Sequence, residues 1–294
     1  MSHASGAPSS STLLRWTTLI VVAANIAFLV VYSRIGEAPT LAETMAEYGY
    51  TFVPASFVKA MSAILVVAML GFYMVALWPS RRRRRIYTAL VAPLAGASVL
   101  VSFWIIAAKN REIGLSMALI AAGVALGAAM FARAASESPS RHSLWLRVPF
   151  SLYFGAMTVA LLIALAQWMN AGGRFATNVL APDELTAAFL AIAVLAGGYV
   201  ALRYSEFVYP AVIAWGTGAI FVAQRALDPY VAAAALAVCI GMLAVAGLAV
   251  ATQARTPRSD VRDKPSRSIK LRNEPKKQSS WGYSLDGNSS IMRL

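Results

Sequence analysis

Residues 147–170 read RVPFSLYFGAMTVALLIALAQWMN, and this stretch decides the fold class. After Arg147 it contains no charged side chain, and a helix of about 20 such residues crosses the hydrocarbon core of a bilayer. Seven further stretches follow the same pattern. The sequence therefore predicts an all-α, multi-pass membrane bundle of about eight transmembrane helices. Their predicted ranges are 12–33, 51–79, 86–108, 112–135, 147–170, 184–203, 207–224 and 230–252.

The composition of the whole chain supports a membrane protein. Of its 294 residues, 59% are hydrophobic and 13% are charged. Soluble domains hold about 45–50% apolar and about 25% charged residues, so these values exclude an ordinary soluble protein. The single cysteine, Cys239, forms no internal disulfide, and with two histidines the chain offers few soft metal ligands. We find no catalytic constellation either, and we expect no metal site and no enzyme activity.

The basic residues predict the orientation of the bundle. Most of the 26 Lys and Arg residues fall on one side of the predicted spans, and that side is cytoplasmic by the positive-inside rule. Both termini are then cytoplasmic, and we expect a location in a bacterial cytoplasmic (inner) membrane. The run Arg81–Arg85 is interpreted as a topology anchor, with a site for anionic lipids as the alternative. The net charge of +13 follows from this arrangement and does not indicate nucleic-acid binding.

The two ends of the chain differ from the spans. Residues 1–11 are rich in Ser, Ala and Gly, and we predict that they are disordered. Residues 253–294 form a basic segment with few apolar clusters, which predicts a disordered cytoplasmic tail. Its positive charge favours contact with anionic lipids of the inner leaflet.

Small residues recur in the predicted spans at the spacing of helix contacts. Gly123 and Gly127 form a GxxxG pair in the fourth span. In a membrane, small residues allow helices to approach closely. We favour packing within the bundle as the role of this pair, and a homodimer is the alternative.

Lys59 and Trp215 lie inside predicted spans, and each has two interpretations. Lys59 is the only clearly intramembrane charge, so it either lines a functional site or extends its ammonium to the outer interface. Trp215 lies in the seventh span beside Gly216 and Gly218. Its ring either forms the floor of a pocket or fills a packing gap.

Two segments resemble the TspO/MBR family, the tryptophan-rich sensory proteins. The first is Phe52-Val53-Pro54-Ala55 followed by Phe57-Val58, which is similar to the proline–aromatic entry of that family's second helix. The second is Val148-Pro149-Phe150-Ser151-Leu152-Tyr153-Phe154-Gly155 with Thr158, which is similar to its fifth helix. The likeness is to longer, eight-helix bacterial members. It implies a five-helix portion over 12–170 and three additional transmembrane helices over 171–252.

The resemblance implies a cavity that binds porphyrins or other hydrophobic ligands, with a sensory, regulatory or transport-linked role and often a dimer. Lys59 stands near a position where the family usually has Trp, and Tyr153 stands where Trp is common. The resemblance implies a tetrapyrrole or another hydrophobic molecule as the ligand, and Lys59 would meet a carboxylate on a tetrapyrrole or lipid. The predicted ligand-binding residues are Pro54, Phe57, Lys59, Trp104, Pro149, Tyr153, Thr158 and Trp215.

Two other functions are consistent with the same sequence. A secondary transporter for a small hydrophobic or anionic solute would show flux that depends on Lys59. A structural subunit of a membrane complex would use the basic tail, 253–294, as its tether.

Overall fold

The computed structural model describes residues 10–32, 55–77, 84–136, 144–171 and 182–255. Within these ranges it contains eight α-helices and no strand, which confirms the predicted all-α bundle. The helices are α1 (Ser10–Tyr32), α2 (Ala55–Leu77), α3 (Arg84–Lys109), α4 (Ile113–Ser136), α5 (Leu144–Ala171), α6 (Pro182–Tyr204), α7 (Val208–Gln224) and α8 (Pro229–Arg255).

The helices have the length and composition of membrane spans. In the described ranges, α3, α4, α5, α6 and α8 each contain an apolar window of at least 18 residues. Shorter apolar segments lie in α1, α2 and α7. The chain is therefore a multi-pass membrane protein. The helix ends fall within a few residues of the predicted spans. One difference is that α8 continues to Arg255, three residues into the segment predicted as a disordered tail.

Helix α5 is the centre of the bundle. It contacts α2, α4 and α7 extensively and touches α6. Within its span 61% of the residues are buried, against 28–33% in the other four long spans. The other helices expose apolar side chains on the outside of the bundle, where a membrane protein contacts lipid. In α6, for example, Leu195 and Leu202 are 72% and 70% exposed.

The GxxxG pair of α4 is an internal packing surface. A Cβ atom added at Gly123 would overlap Cε of Met157, and one added at Gly127 would lie 3.1 Å from Cδ1 of Tyr153. Both glycines are buried against α5. The structure thus confirms the intramolecular role that the sequence favoured for them.

Other small residues join α5 to α7. A Cβ at Gly155 would lie 2.9 Å from Cβ of Val212, and one at Gly216 would lie 2.7 Å from both methyl carbons of Val159. These contacts run in the same chain direction on both helices, so α5 and α7 are parallel neighbours. Helix α7 consequently belongs to the same core as the first five helices.

Side chains also fix the shorter connections. Asp228 precedes Pro229, the first residue of α8, and its Oδ1 accepts the backbone N–H groups of Tyr230 and Val231 at 3.0 and 3.1 Å. An aspartate cap followed by proline is a favourable helix start. A second side-chain contact joins two helix interiors: the hydroxyl of Ser102 in α3 donates a hydrogen bond to Asn25 Oδ1 in α1.

The position of Pro149 differs from the prediction. A span that begins at residue 147, as predicted, would have Pro149 in its first turn. Helix α5 instead begins at Leu144, so Pro149 lies inside the helix. The apolar residues before Arg147 extend the helix by one turn. There the proline ring packs against Gly71 of α2, where an added Cβ would lie 2.5 Å from its Cγ.

Candidate functional site

The structure brings Phe57 and Trp215 together as a stacked aromatic pair. Their ring centroids are 4.2 Å apart, with an angle of 27° between the ring planes. Phe57 lies near the start of α2 and is buried, whereas Trp215 lies in the middle of α7 and is half-buried. The sequence named both residues, but it did not predict their contact. The pair therefore brings a residue of α7 against a predicted ligand contact of α2.

Thr158 lies in a polar contact between α5 and α7. Its Oγ1 donates to the carbonyl oxygen of Phe154 at 2.8 Å and lies 3.3 Å from the Tyr209 hydroxyl. The rings of Phe154 and Tyr209 stack at a centroid distance of 4.5 Å. The Thr158 hydroxyl therefore has partners within the bundle. Tyr209, which contacts both Thr158 and Phe154, was not predicted from the sequence.

Helix contacts set the depth at which Thr158 and Trp215 lie. We call the end of the bundle where α1 ends and α2 begins the outer end, following the predicted orientation. Gly216 packs against Val159, so Trp215 and Thr158 are at neighbouring levels of the α5–α7 interface. This level lies about 14 Å along α5 from Pro149, toward the outer end.

Trp104 lies at a similar depth on α3. Tyr153 donates a hydrogen bond to the carbonyl oxygen of Ala97 at 3.3 Å, which aligns α3 with α5. Trp104 is about 10 Å beyond Ala97, and Thr158 is about 8 Å beyond Tyr153, both toward the outer end. Trp104 is buried. Phe57, Trp104, Thr158 and Trp215 thus share the outer half of the bundle.

Tyr153 and Pro149 lie deeper, in the packed centre. Tyr153 has no exposed surface, and its ring lies 5.5 Å from that of Phe72. It also covers Gly123 and Gly127. Any contact of Tyr153 with a ligand therefore requires movement of its neighbours.

Two predicted site residues fall outside the side chains that the structure describes. Pro54 precedes α2 and lies outside the described ranges. Lys59 has a described backbone in α2, four residues after Ala55 and so about 6 Å along the helix axis. Of the predicted lipid site Arg81–Arg85, only the last two residues fall in the described ranges, as the start of α3.

The structure also contains a buried charged cluster at the inner end, which sequence reasoning missed. Arg147 is 6% exposed and Glu206, in the α6–α7 connection, is 1% exposed. The Arg147 guanidinium donates to the carbonyl oxygens of Ala135 and Tyr204 at 3.2 and 3.4 Å. These carbonyls end α4 and α6, where a positive charge is favourable.

Glu206 satisfies the opposite end of a neighbouring helix. Its Oε1 accepts the backbone N–H of Val208, the first residue of α7, at 3.0 Å. Burial raises the pKa of the Glu206 carboxyl, while the Val208 hydrogen bond and the charge of Arg147 lower it in part. One cluster thereby joins α4, α5, α6 and α7. Two features of the sequence could have indicated this cluster: Glu206 lies in a short connection between two apolar helices, and Arg147 lies at the start of a predicted span.

The fold and these contacts define the class of the protein: it is a membrane helical bundle with an aromatic pair in its outer half and a charged cluster at its inner end. A family model described as TSPO-like protein matches residues 13–248. This range covers most of the chain and reaches from α1 into α8, so the chain belongs to the TSPO-like family. Neither a curated protein nor a solved structure matches it significantly.

Proposed function

We propose that this protein binds a planar hydrophobic ligand of the tetrapyrrole type in the outer half of the bundle. The observation that carries the proposal is the stacked pair of Phe57 and Trp215, in which Trp215 lies at the depth of Thr158. Aromatic rings bind flat apolar molecules through their faces, and ligand pockets combine such surfaces with a few polar groups. Membership of the TSPO-like family supports the same kind of ligand.

The proposed binding serves a sensory, regulatory or transport-linked role in a bacterial cytoplasmic membrane, without chemical conversion of the ligand. Phe57 supplies the stacking face and Thr158 the polar contact. Lys59 pairs with a carboxylate of the ligand, because an intramembrane charge needs a partner. The basic residues of Arg81–Arg85 and of the C-terminal tail contact anionic lipids.

A homodimer is also part of this proposal. Gly123 and Gly127 would not form its interface, because Met157 and Tyr153 already cover them within one chain. The dimer would use another face of the bundle. Cross-linking of the detergent-purified protein, with its mass measured by light scattering, tests this part separately.

The ligand proposal is tested by titrating the purified protein with protoporphyrin IX and following the porphyrin absorbance. Phe57→Ala removes the stacking face, and we expect Kd to rise about 2- to 10-fold, the value of one aromatic stack. The matched control is Phe103→Ala, since Phe103 is 57% exposed on the lipid-facing side of α3. Equal affinity of the Phe57 variant, the Phe103 variant and the wild type would contradict the proposed site.

Tyr153 requires a milder substitution in the same titration. Tyr153→Ala would open a cavity beside Phe72 and the two glycines of α4, so any loss of binding would have two explanations. Tyr153→Phe keeps the ring and removes only the hydrogen bond to Ala97. A large loss of affinity in this variant would place the hydroxyl in the ligand site.

A further inference from the structure

The face of Phe57 that the proposed function needs is covered by the protein itself. The 4.2 Å separation of the Phe57 and Trp215 rings is a direct stack. A flat ligand between the two rings would need about 3.5 Å on each side, and so a separation of about 7 Å. Phe57 is only 5% exposed in this arrangement. A ligand therefore reaches its face only after Trp215 has moved by about 3 Å.

We infer that Trp215 is a ring-shaped lid, an intramolecular substitute for the ligand that occupies the Phe57 face and is displaced on binding. This inference rests on the proposed function. In this inference a residue of α7, one of the three helices after the five-helix portion, lowers the affinity of the site for its ligand. Trp215 is then neither the floor of a pocket nor a residue that only fills a packing gap, because it competes with the ligand.

The surroundings of Trp215 favour movement of its side chain over movement of its helix. The adjacent Gly216 is locked against Val159, with an added Cβ only 2.7 Å from both valine methyl carbons. The backbone of α7 is thus fixed against α5 at this point. The Trp215 side chain is half-buried, whereas its stacking partner is almost fully buried. A rotation of the indole can therefore separate the rings while α7 stays in place.

If Trp215 competes with the ligand, its removal should raise the affinity, whereas removal of a residue that contacts the bound ligand should lower it. Trp215→Ala removes the competing stack, so protoporphyrin IX should bind about 2- to 10-fold more tightly, the value of one aromatic pair. Association measured by stopped-flow absorbance should also be faster. Phe57→Ala should weaken binding. In the double variant the Trp215 substitution should bring no further gain, because the face that it uncovers is gone.

Two additional variants keep the experiment decisive. Trp215→Phe preserves most of the buried ring and should fall between wild type and Trp215→Ala, which guards against a folding defect in the alanine variant. Trp16→Ala is the matched control, since Trp16 is 59% exposed on α1. It should leave affinity and association rate unchanged.

The outcomes separate the inference from the proposed function. If wild type binds and Trp215→Ala binds more weakly or equally, the lid is refuted while the ligand site stands. If wild type shows no saturable binding but Trp215→Ala does, the lid is supported in its strongest form. If no folded variant binds the porphyrin, the proposed function fails and the lid fails with it.

Discussion

Replacing Arg147 by Met tests the energetic importance of the inner charged cluster. The substitution keeps an apolar stem of similar length but removes the guanidinium that holds the carbonyl oxygens of Ala135 and Tyr204. It also leaves the Glu206 carboxyl, 1% exposed, without the nearby positive charge. Each buried carbonyl left without a donor costs about 1–3 kcal/mol, so the loss of both hydrogen bonds predicts a fall of about 2–5 kcal/mol in the free energy of unfolding.

A double-mutant cycle separates the charge interaction from simple packing. Glu206→Gln retains an acceptor for the Val208 amide and should cost less than Arg147→Met, about 1–3 kcal/mol. In the double variant no buried carboxyl lacks a counter-charge. Its cost should be below the sum of the two single costs by about 0.5–3 kcal/mol. The measurement is reversible unfolding in mixed micelles with increasing SDS, followed by circular dichroism.

The control for this cycle is Arg203→Met. Arg203 lies on the same inner end, but its side chain is exposed, with its guanidinium 5.7 Å from the centre of the Tyr204 ring. Its removal should change stability by no more than about 0.5 kcal/mol. If Arg147→Met were as mild as Arg203→Met, or if the two single costs simply added, the cluster would have no coupling role.

Three further predictions concern single positions. Gly127→Val should cost about 1–3 kcal/mol by overpacking against Tyr153, while Ala125→Val on the exposed face of α4 should be neutral in the same unfolding assay. Asp228→Ala should cost about 1 kcal/mol by removing the cap of α8, and Asp228→Asn should restore most of it; equal losses would contradict the capping role. Glu206 has a pKa above its ordinary value in the folded state, so the folded protein binds more protons, and the free energy of unfolding should fall as the pH rises above the ordinary carboxyl pKa of about 4. Glu206→Gln should lose this component, and an unchanged pH profile would refute it.

The helices could be predicted from the sequence because membrane spans are local features. Each span needs an apolar run of fixed minimum length, and that run is visible without knowledge of its neighbours. The start of α5 was misplaced because Arg147 was taken as the boundary of the span. A charged side chain can lie inside a helix end when carbonyls of neighbouring helices bind it, as Ala135 and Tyr204 do here.

The candidate site was predictable only as a set of residue types. Phe57 and Trp215 were both named, yet their contact depends on α2 and α7 both packing against α5. That arrangement is a property of packing between helices far apart in the sequence, and no spacing rule reports it. Glu206 was missed for a similar reason. Acids in connections are usually solvated, and only the packing of the folded chain around Glu206, which is 1% exposed, shows that this one is buried.

The charged cluster has a consequence for the order in which the chain is assembled. The ribosome delivers Arg147 at the start of α5 well before it delivers Glu206, which follows α6. When α5 enters the membrane, the Ala135 carbonyl is already available, but Tyr204 and Glu206 are not. Until then, we expect the long stem of Arg147 to keep the guanidinium at the lipid headgroups. Insertion of α6 and α7 brings Tyr204 and Glu206 to it, so these two helices complete the surroundings of the Arg147 side chain.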